Sequence, residues 1–363
     1  GVTAMNSLSV SSGTEQMQTY FSYANTAERG ITGSNRLMRH NFNLRATTGL
    51  FRDRIKLDGN ISFMRQVVKD KPVPGGFYMN PLVGLYRFPR GVDMTPYREH
   101  FEVYDPDRKL SVQKWIAPSD DFEQNPYWIT NRNMFNTTQN RYIVSGSLKW
   151  KITDWINLSG RIRMDHADTD YERKLYASTP GLFCQSKGHY REQKMTNNAL
   201  YADVLLNIDK QLSDDFRLTA NIGASLYDEK YDMMGQSGNL LRLANFFHVS
   251  NINMSDPTTE MTREHIRQQT QAVYGSVQVG FRNFVYVDAS VRSDWFSTLA
   301  GTPSMSSVYP SVGASLILSE LIPQNKVLSF GKLRLSYANV GSDTVPYALD
   351  FLYSPESSIF LQF

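Results

Sequence analysis

Apolar and polar residues alternate with a period of two along most of the chain. Beyond Trp155, the residues Ile156, Leu158, Gly160, Ile162 and Met164 share one parity, and Asn157, Ser159, Arg161, Arg163 and Asp165 the other. That spacing puts the two sets on opposite faces of a strand. Phe216, Leu218, Ala220, Ile222, Ala224 and Leu226 alternate in the same way with Arg217, Thr219, Asn221, Gly223 and Ser225. Ile55, Leu57, Gly59, Ile61 and Phe63 do so against Lys56, Asp58, Asn60 and Ser62, and Val285, Val287, Ala289 and Val291 against Tyr286, Asp288, Ser290 and Arg292. Leu333, Leu335 and Tyr337 against Lys332, Arg334 and Ser336 complete the set. The runs reach roughly nine residues or more, the length a tilted strand needs to cross a bilayer, whereas soluble strands centre on about five or six. About twelve such strands are expected, and the fold class is all-β, a transmembrane antiparallel β-barrel.

The connections sort into two alternating kinds. Short turns are expected at 14–16, 52–54, 153–155, 213–215 and 282–283, with a longer one at 321–326; long polar segments are expected at 26–34, 70–137, 172–194, 230–264 and 297–306. A barrel across an outer membrane has this asymmetry, turns on one side and loops on the other, while both ends of a soluble sandwich meet the same solvent. Phe51, Trp150, Trp155, Phe216, Phe284 and Phe330 lie at strand ends, where interfacial aromatic girdles belong, although such rings also plug the cores of soluble β proteins.

Composition narrows the class further. With 41% hydrophobic, 12% aromatic and 20% charged residues, the 363-residue chain is too apolar for disorder and too charged for a helical membrane bundle. No apolar run approaches the 18 or so residues of a transmembrane helix. Lys and Arg total 38 against 35 Asp and Glu, and the resulting net charge of +3 gives no reason to expect a nucleic-acid partner. The lone cysteine, Cys184, excludes an internal disulfide and any CxxC site, and is expected to be a buried thiol. The start, GVTAMNSLSV, has no charged or apolar leader and reads as a processed end.

Candidate chemistry lies on the polar parity and in the loops. Arg161, Arg163, Asp165, Arg217, Asp288, Arg292, Asp294, Lys332 and Arg334 fall on the non-lipid side of their strands. An apolar interior would forbid them, so they are expected on a wet lumen wall; the solvent face of a two-layer soluble fold would accept them as well. The segment 70–137 carries Phe77, Tyr78, Tyr86, Phe88, Tyr97, Phe101, Tyr104, Trp115, Phe122, Tyr127, Trp128 and Phe135. So many rings need packing partners, either one another in a folded lid, or a docking partner or ligand, with Tyr97, Trp115, Tyr127 and Trp128 the candidates for contact. Catalytic and metal arrangements are poor. The 6 histidines are scattered without HExxH spacing, no GxSxG or phosphate loop occurs, and Asp165 faces away from His166, Asp168 and Asp170 on a strand. No enzyme activity, metal or cofactor is expected.

The segment NPYWITNRNMFNTTQNRYIVSGSLKWKITDWINLSGRIRMD (125–165) resembles the loop-to-hairpin passage of SusC/RagA-type TonB-dependent outer-membrane transporters of Bacteroidetes. SVRSDWFSTL (290–299), YPSVGASLILSEL (309–321), LSFGKLRLSYANVGSDTVPY (328–347) and LSVSSGTEQMQTYFSYANTAERGI (8–31) are similar to further stretches of that family, in the same order. The resemblance implies a plugged barrel of about 22 strands, of which about twelve lie here. It implies an outer-membrane active transporter importing oligosaccharides or peptides, with TonB and a SusD-like surface lipoprotein as partners. The expectation is therefore that residues 1–363 are a partial barrel domain, with signal peptide, plug and remaining C-terminal strands outside it, since unpaired sheet edges are not tolerated in lipid. Phe363 is not expected to be a terminal barrel aromatic. Two readings from other classes are a passive porin-type channel and a secreted all-β binding module.

Overall fold

A computed structural model describes residues 1–73, 79–116, 123–321 and 330–349. The first strands are β1 (Val2–Gly13), β2 (Met17–Arg29), β3 (Arg36–Leu50) and β4 (Ile55–Lys69). A separate hairpin, β5 (Glu102–Asp105) with β6 (Leu110–Gln113), lies in the connection that follows. The sheet resumes with β7 (Asn133–Lys151), β8 (Ile156–Leu175), β9 (His189–Gln211), β10 (Phe216–Asn239), β11 (Glu260–Phe281), β12 (Val285–Phe296), β13 (Ser306–Ile317) and β14 (Lys332–Ala338). Apart from the hairpin, these form one 12-stranded antiparallel sheet in chain order, each strand beside its sequence neighbour.

The register brings the apolar parity of every strand to one face. Phe21 stands opposite Leu44, Leu44 opposite Ile61, Ile61 opposite Val144, Val144 opposite Met164, and Met164 opposite Leu200. Further along, Ala220 meets Val277, Val277 meets Ala289, Ala289 meets Val312, and Val312 meets Tyr337. Among the described residues nothing covers this face: Ile162 is 50% exposed, Ile222 58% and Val287 55%. A contiguous apolar surface of this extent is the wrong face to show water and the right one to show hydrocarbon.

Rings bound the belt at both edges. At the turn edge, Phe216 packs on Phe281 and Phe281 on Phe284, at 5.0 and 5.6 Å between ring centres, and Lys210 Nζ sits 4.3 Å over Trp155. At the loop edge, Tyr23, Phe42, Phe63 and Tyr142 form a row across four strands, with ring centres 4.8, 6.2 and 4.8 Å apart. This second girdle is not among the aromatics expected from strand ends, because its rings lie inside strands, where apolar residues give way to His40, Arg65, Asn140 and His166. From Tyr142 to Trp150 on β7 the backbone climbs about 26 Å at about 3.3 Å per residue, or about 20 Å after a tilt of about 40°. Outer-membrane apolar bands are about 25 Å tall.

Turns occupy 14–16, 51–54, 152–155, 212–215 and 282–284, the places expected. Phe51, Arg52, Asp53, Arg282 and Asn283 take positive φ, which reverses the chain within a few residues. The sixth turn lies outside the described residues from 322 to 326, as do Phe77, Tyr78, Phe122 and Phe363. At the opposite end the loops are shorter than expected. The strands run on to Arg29, Leu175 and Asn239, and restart at His189 and Glu260, inside segments expected to be polar loop. Above the belt both faces meet water, so the hydrophobic alternation fades while the backbone ladder continues.

Candidate functional site

The polar face is lined by side chains that neutralise one another across strands. Arg161 of β8 directs Nε and Nη2 onto Asp203 of β9 at 2.9 and 2.6 Å, and the Tyr201 hydroxyl donates to the same carboxylate at 2.7 Å. Asp203 is buried while Arg161 reaches into solvent, so the guanidinium also covers a carboxylate that could not stay charged alone. Asp165 receives both ends of Arg141, at 2.7 and 2.6 Å, and a longer contact from Arg163 at 3.2 Å. Arg217 holds Asp209 in a two-pronged pair at 2.8 and 2.7 Å, and Arg292 holds Asp294 at 2.7 Å while lying 5.4 Å over the Tyr274 ring. Asp288 fits where its cross-strand neighbour Gly313 has no side chain; a Cβ there would stand 2.7 Å from Asp288 Oδ2. Lys332 and Arg334 share this parity on β14.

Three partners in these pairs, Arg141, Asp203 and Asp209, are absent from the sequence-derived candidates. Each takes the polar parity of its own strand, which was a usable signal; which charge it meets depends on register. His166 and Asp168 point the other way, above the apolar belt. His166 Nδ1 lies 2.6 Å from Asn198 Oδ1 and Nε2 2.8 Å from Asp168 Oδ2. Among the described residues, no three His, Cys, Asp or Glu side chains converge as a metal site.

Midway up the polar face is a recess of about 440 Å³ whose walls include Arg141, Asp165, Asn197, Tyr227, Glu229 and Tyr231. Glu229 accepts from Asn197, Tyr227 and Gln268 at 2.9, 2.8 and 2.8 Å, which holds the carboxylate and the Tyr227 ring in place.

Above the recess, the long connection between β4 and β7 folds into a cap. It contains α1 (Pro81–Arg87), α2 (Thr95–Glu99), the β5–β6 hairpin and α3 (Pro126–Arg132). Helices α1 and α3 begin alike. Asn80 and Asn125 accept from the backbone N–H of Leu82 and Tyr127 at 3.0 and 2.8 Å, and a proline follows at the first helical position. Gly84 lets α1 approach the 124–126 backbone; a Cβ there would overlap the Gln124 carbonyl oxygen. Arg132 clamps Glu102 at 2.8 and 2.7 Å, fastening the hairpin to α3.

The ring candidates sit mostly inside this cap. Trp115 packs with Phe88 and Tyr97, at 5.3 and 5.6 Å between centres, and its Nε1 donates to Glu123 at 3.2 Å. Trp128 is fully buried, and its Nε1 donates at 3.2 Å to Thr179 Oγ1, which in turn donates to Asn133 Oδ1 at 2.9 Å. Trp115 and Trp128 are thus interior props, whereas Tyr97 and Tyr127 are part-exposed. The connection 176–188 packs beneath, where Cys184 joins Met79 and Leu175 in an apolar cluster. Burial pushes the Cys184 thiol up to about 12, which keeps it in its neutral form.

Residues 76–354 match the family model described as TonB dependent receptor-like, beta-barrel. No curated protein matches the chain. Among solved structures, it is similar to the RagAB peptide transporter, at 17% identity and a TM-score of 0.70, over 93% of this chain and 36% of that one. The RagAB peptide importer in its closed-closed state gives 17% and 0.69, over 98% of this chain and 39% of that one. The ferric-catecholate import receptor Fiu of E. coli K12, open form, gives 11% and 0.54, over 93% and 52% respectively. The chain therefore spans well under two thirds of each of these proteins, and at such identities the likeness is one of fold.

Proposed function

The chain belongs to the TonB-dependent receptor-like β-barrel family, and from that premise we propose that it forms the wall and outer loops of a SusC/RagA-type active transporter in the outer membrane. In this reading the apolar face meets lipid, the polar face lines the lumen, and the capped end faces outside. A SusD-like lipoprotein covers the loop end and delivers an oligosaccharide or a peptide. TonB, pulling on a plug within the lumen, opens the way inward.

The residues here have defined parts in that cycle. The paired charges of the polar face keep the bore hydrated and offer hydrogen-bonding groups to plug and cargo without leaving an isolated charge on the wall. The cap's buried tryptophans hold a rigid rim, and Tyr97 and Tyr127 supply ring edges to the cargo or the lipoprotein. One observation carries the reading: every strand presents its apolar parity in register to an uncovered face while the opposite face is charged. Fractionation of cells producing the full-length protein tests it, with the protein expected in detergent-extracted outer membrane as a heat-modifiable band. Uptake should vanish when TonB is deleted. Dispersal in plain buffer, or uptake indifferent to TonB, would overturn it; the second result is the behaviour of a passive porin.

A further inference from the structure

Lower on the polar face, Arg141, Arg161, Arg217 and Arg292 each meet a carboxylate at 2.6 to 2.7 Å. Higher up this pattern breaks. Arg173 of β8 stands directly opposite Arg191 of β9, and like charges so placed repel. Glu260 offers little relief, its Oε2 lying 4.0 Å from Arg191 Nη2 and its side chain mostly in solvent. The Nε of both arginines is buried and has no hydrogen-bond partner among the described residues, a costly condition for a charged donor.

The other face shows how this sheet resolves a like-charged pair. At the same height Glu172 stands opposite Glu192, and the Tyr190 hydroxyl reaches both, at 3.1 and 3.3 Å, while Lys174 Nζ pairs with Glu172 at 2.8 Å. The arginine pair has no such bridge. Its neighbour is His189, with Nδ1 3.5 Å from Arg173 Nη2 and Nε2 3.4 Å from Ser237 Oγ. Burial and the two guanidinium groups push His189 down to about 4, so it is neutral at physiological pH and adds no third positive charge. Asp256 also faces His189, but its carboxylate is taken up by Gln185 and Asn239 at 3.0 Å each, so among the described residues neither guanidinium has a carboxylate at close range.

We propose that Arg173 and Arg191 form an anion-recognition subsite on the polar face above the recess, and that the cargo carries a carboxylate. The inference rests on the transport reading above and narrows its substrate class. The planar guanidinium fork matches a carboxylate better than a neutral hydroxyl does. On β8 Arg173 lies two inward positions, about 13 Å of strand, above Thr169, which lines the recess that Tyr227 and Tyr231 also wall, so a cargo of several units is needed to reach both. A carboxylate can belong to an acidic peptide or to a uronic-acid oligosaccharide, and both are tested.

The test is calorimetric binding to the purified full-length transporter with two probe pairs. One pair is an acetylated, amidated triglutamate peptide and its triglutamine counterpart; the other is trigalacturonate and neutral galactotriose. One acidic member is expected to bind at least about tenfold more tightly than its neutral counterpart. Arg173→Gln and Arg191→Gln should each abolish that preference, Arg173→Lys should keep part of it, and Arg54→Gln, in the 51–54 turn at the opposite end of the sheet, should leave it intact. Heat-modifiable migration reports whether each variant is folded. Equal binding of acidic and neutral probes, or a preference surviving both glutamine variants, would overturn the proposal. TonB-dependent uptake without any acidic preference would sink this inference and leave the transport reading standing; acidic binding with TonB-independent uptake would do the reverse.

Discussion

Trp128 is the pin between two loops, and its removal should loosen the cap without disturbing the sheet in the bilayer. The ring is wholly buried, and its Nε1 donates to Thr179 in the neighbouring connection. Truncation of a buried Trp to Ala costs about 3–5 kcal/mol. Trp128→Phe is milder: loss of the hydrogen bond costs about 1 kcal/mol, and the space left by the smaller ring adds a comparable amount. Thr179 still donates to Asn133, so neither variant strands the hydroxyl. In hydrogen–deuterium exchange on the detergent-solubilised full-length protein, Trp128→Ala should speed exchange of amides in 123–133 and 176–188 by roughly 150- to 4,000-fold, with about 30-fold for Trp128→Phe. Amides of Ile156, Leu158 and Ile162, in the apolar belt, should not change. Unchanged exchange in 176–188, or acceleration reaching the belt, would refute the idea that this ring fastens the loops and nothing else.

Other consequences can be measured directly. Arg161→Ala leaves the buried Asp203 with Tyr201 alone and should lower the melting temperature, at a cost of about 3 kcal/mol; Arg163→Ala should cost less than about 1 kcal/mol, because Arg141 still holds Asp165 with both prongs. In the double variant, weaker plug seating is expected to appear as antibiotic leakage or reduced uptake, and unchanged values of both would count against a role for this wall in holding the plug. Gly188→Ala should destabilise the 176–188 connection by about 1–3 kcal/mol, since Gly188 has φ +104° and a Cβ would stand 2.7 Å from the Leu175 carbonyl oxygen; proteolytic nicking of that connection is the readout. His189 is held below its ordinary value, so its contribution is complete above about pH 6.5 and is lost as pH falls towards about 4, on the order of 3 kcal/mol in all. Faced by Arg173, Arg191, Ser237 and Asp256, it should make exchange in the loops accelerate over that interval, and His189→Gln should flatten the profile.

Much of the sheet was readable along the chain, because a period of two is a local property: Ile156, Leu158 and Ile162 declare a lipid face wherever the strand ends up. The tight turns were equally plain, being bounded by the strands they join. Legibility stopped where the environment became symmetric. Beyond Met164 and Leu226 polar residues take both faces, so the last residues of β8 (172–175) and β10 (230–239) are expected as loop from the sequence although their ladders continue. The cap was legible as a need, twelve rings seeking partners, but not as an arrangement. Whether Trp115 and Trp128 face outward or inward depends on Glu123 and Thr179, and Thr179 lies 51 positions from Trp128. Pairing is the other case. Arg161 meets Asp203 across 42 positions of chain, and Arg173 meets Arg191 instead of a carboxylate, because antiparallel register assigns cross-strand neighbours from the length of the turn between them. Parity is written residue by residue, whereas partners follow from distances that exist after the strands have docked.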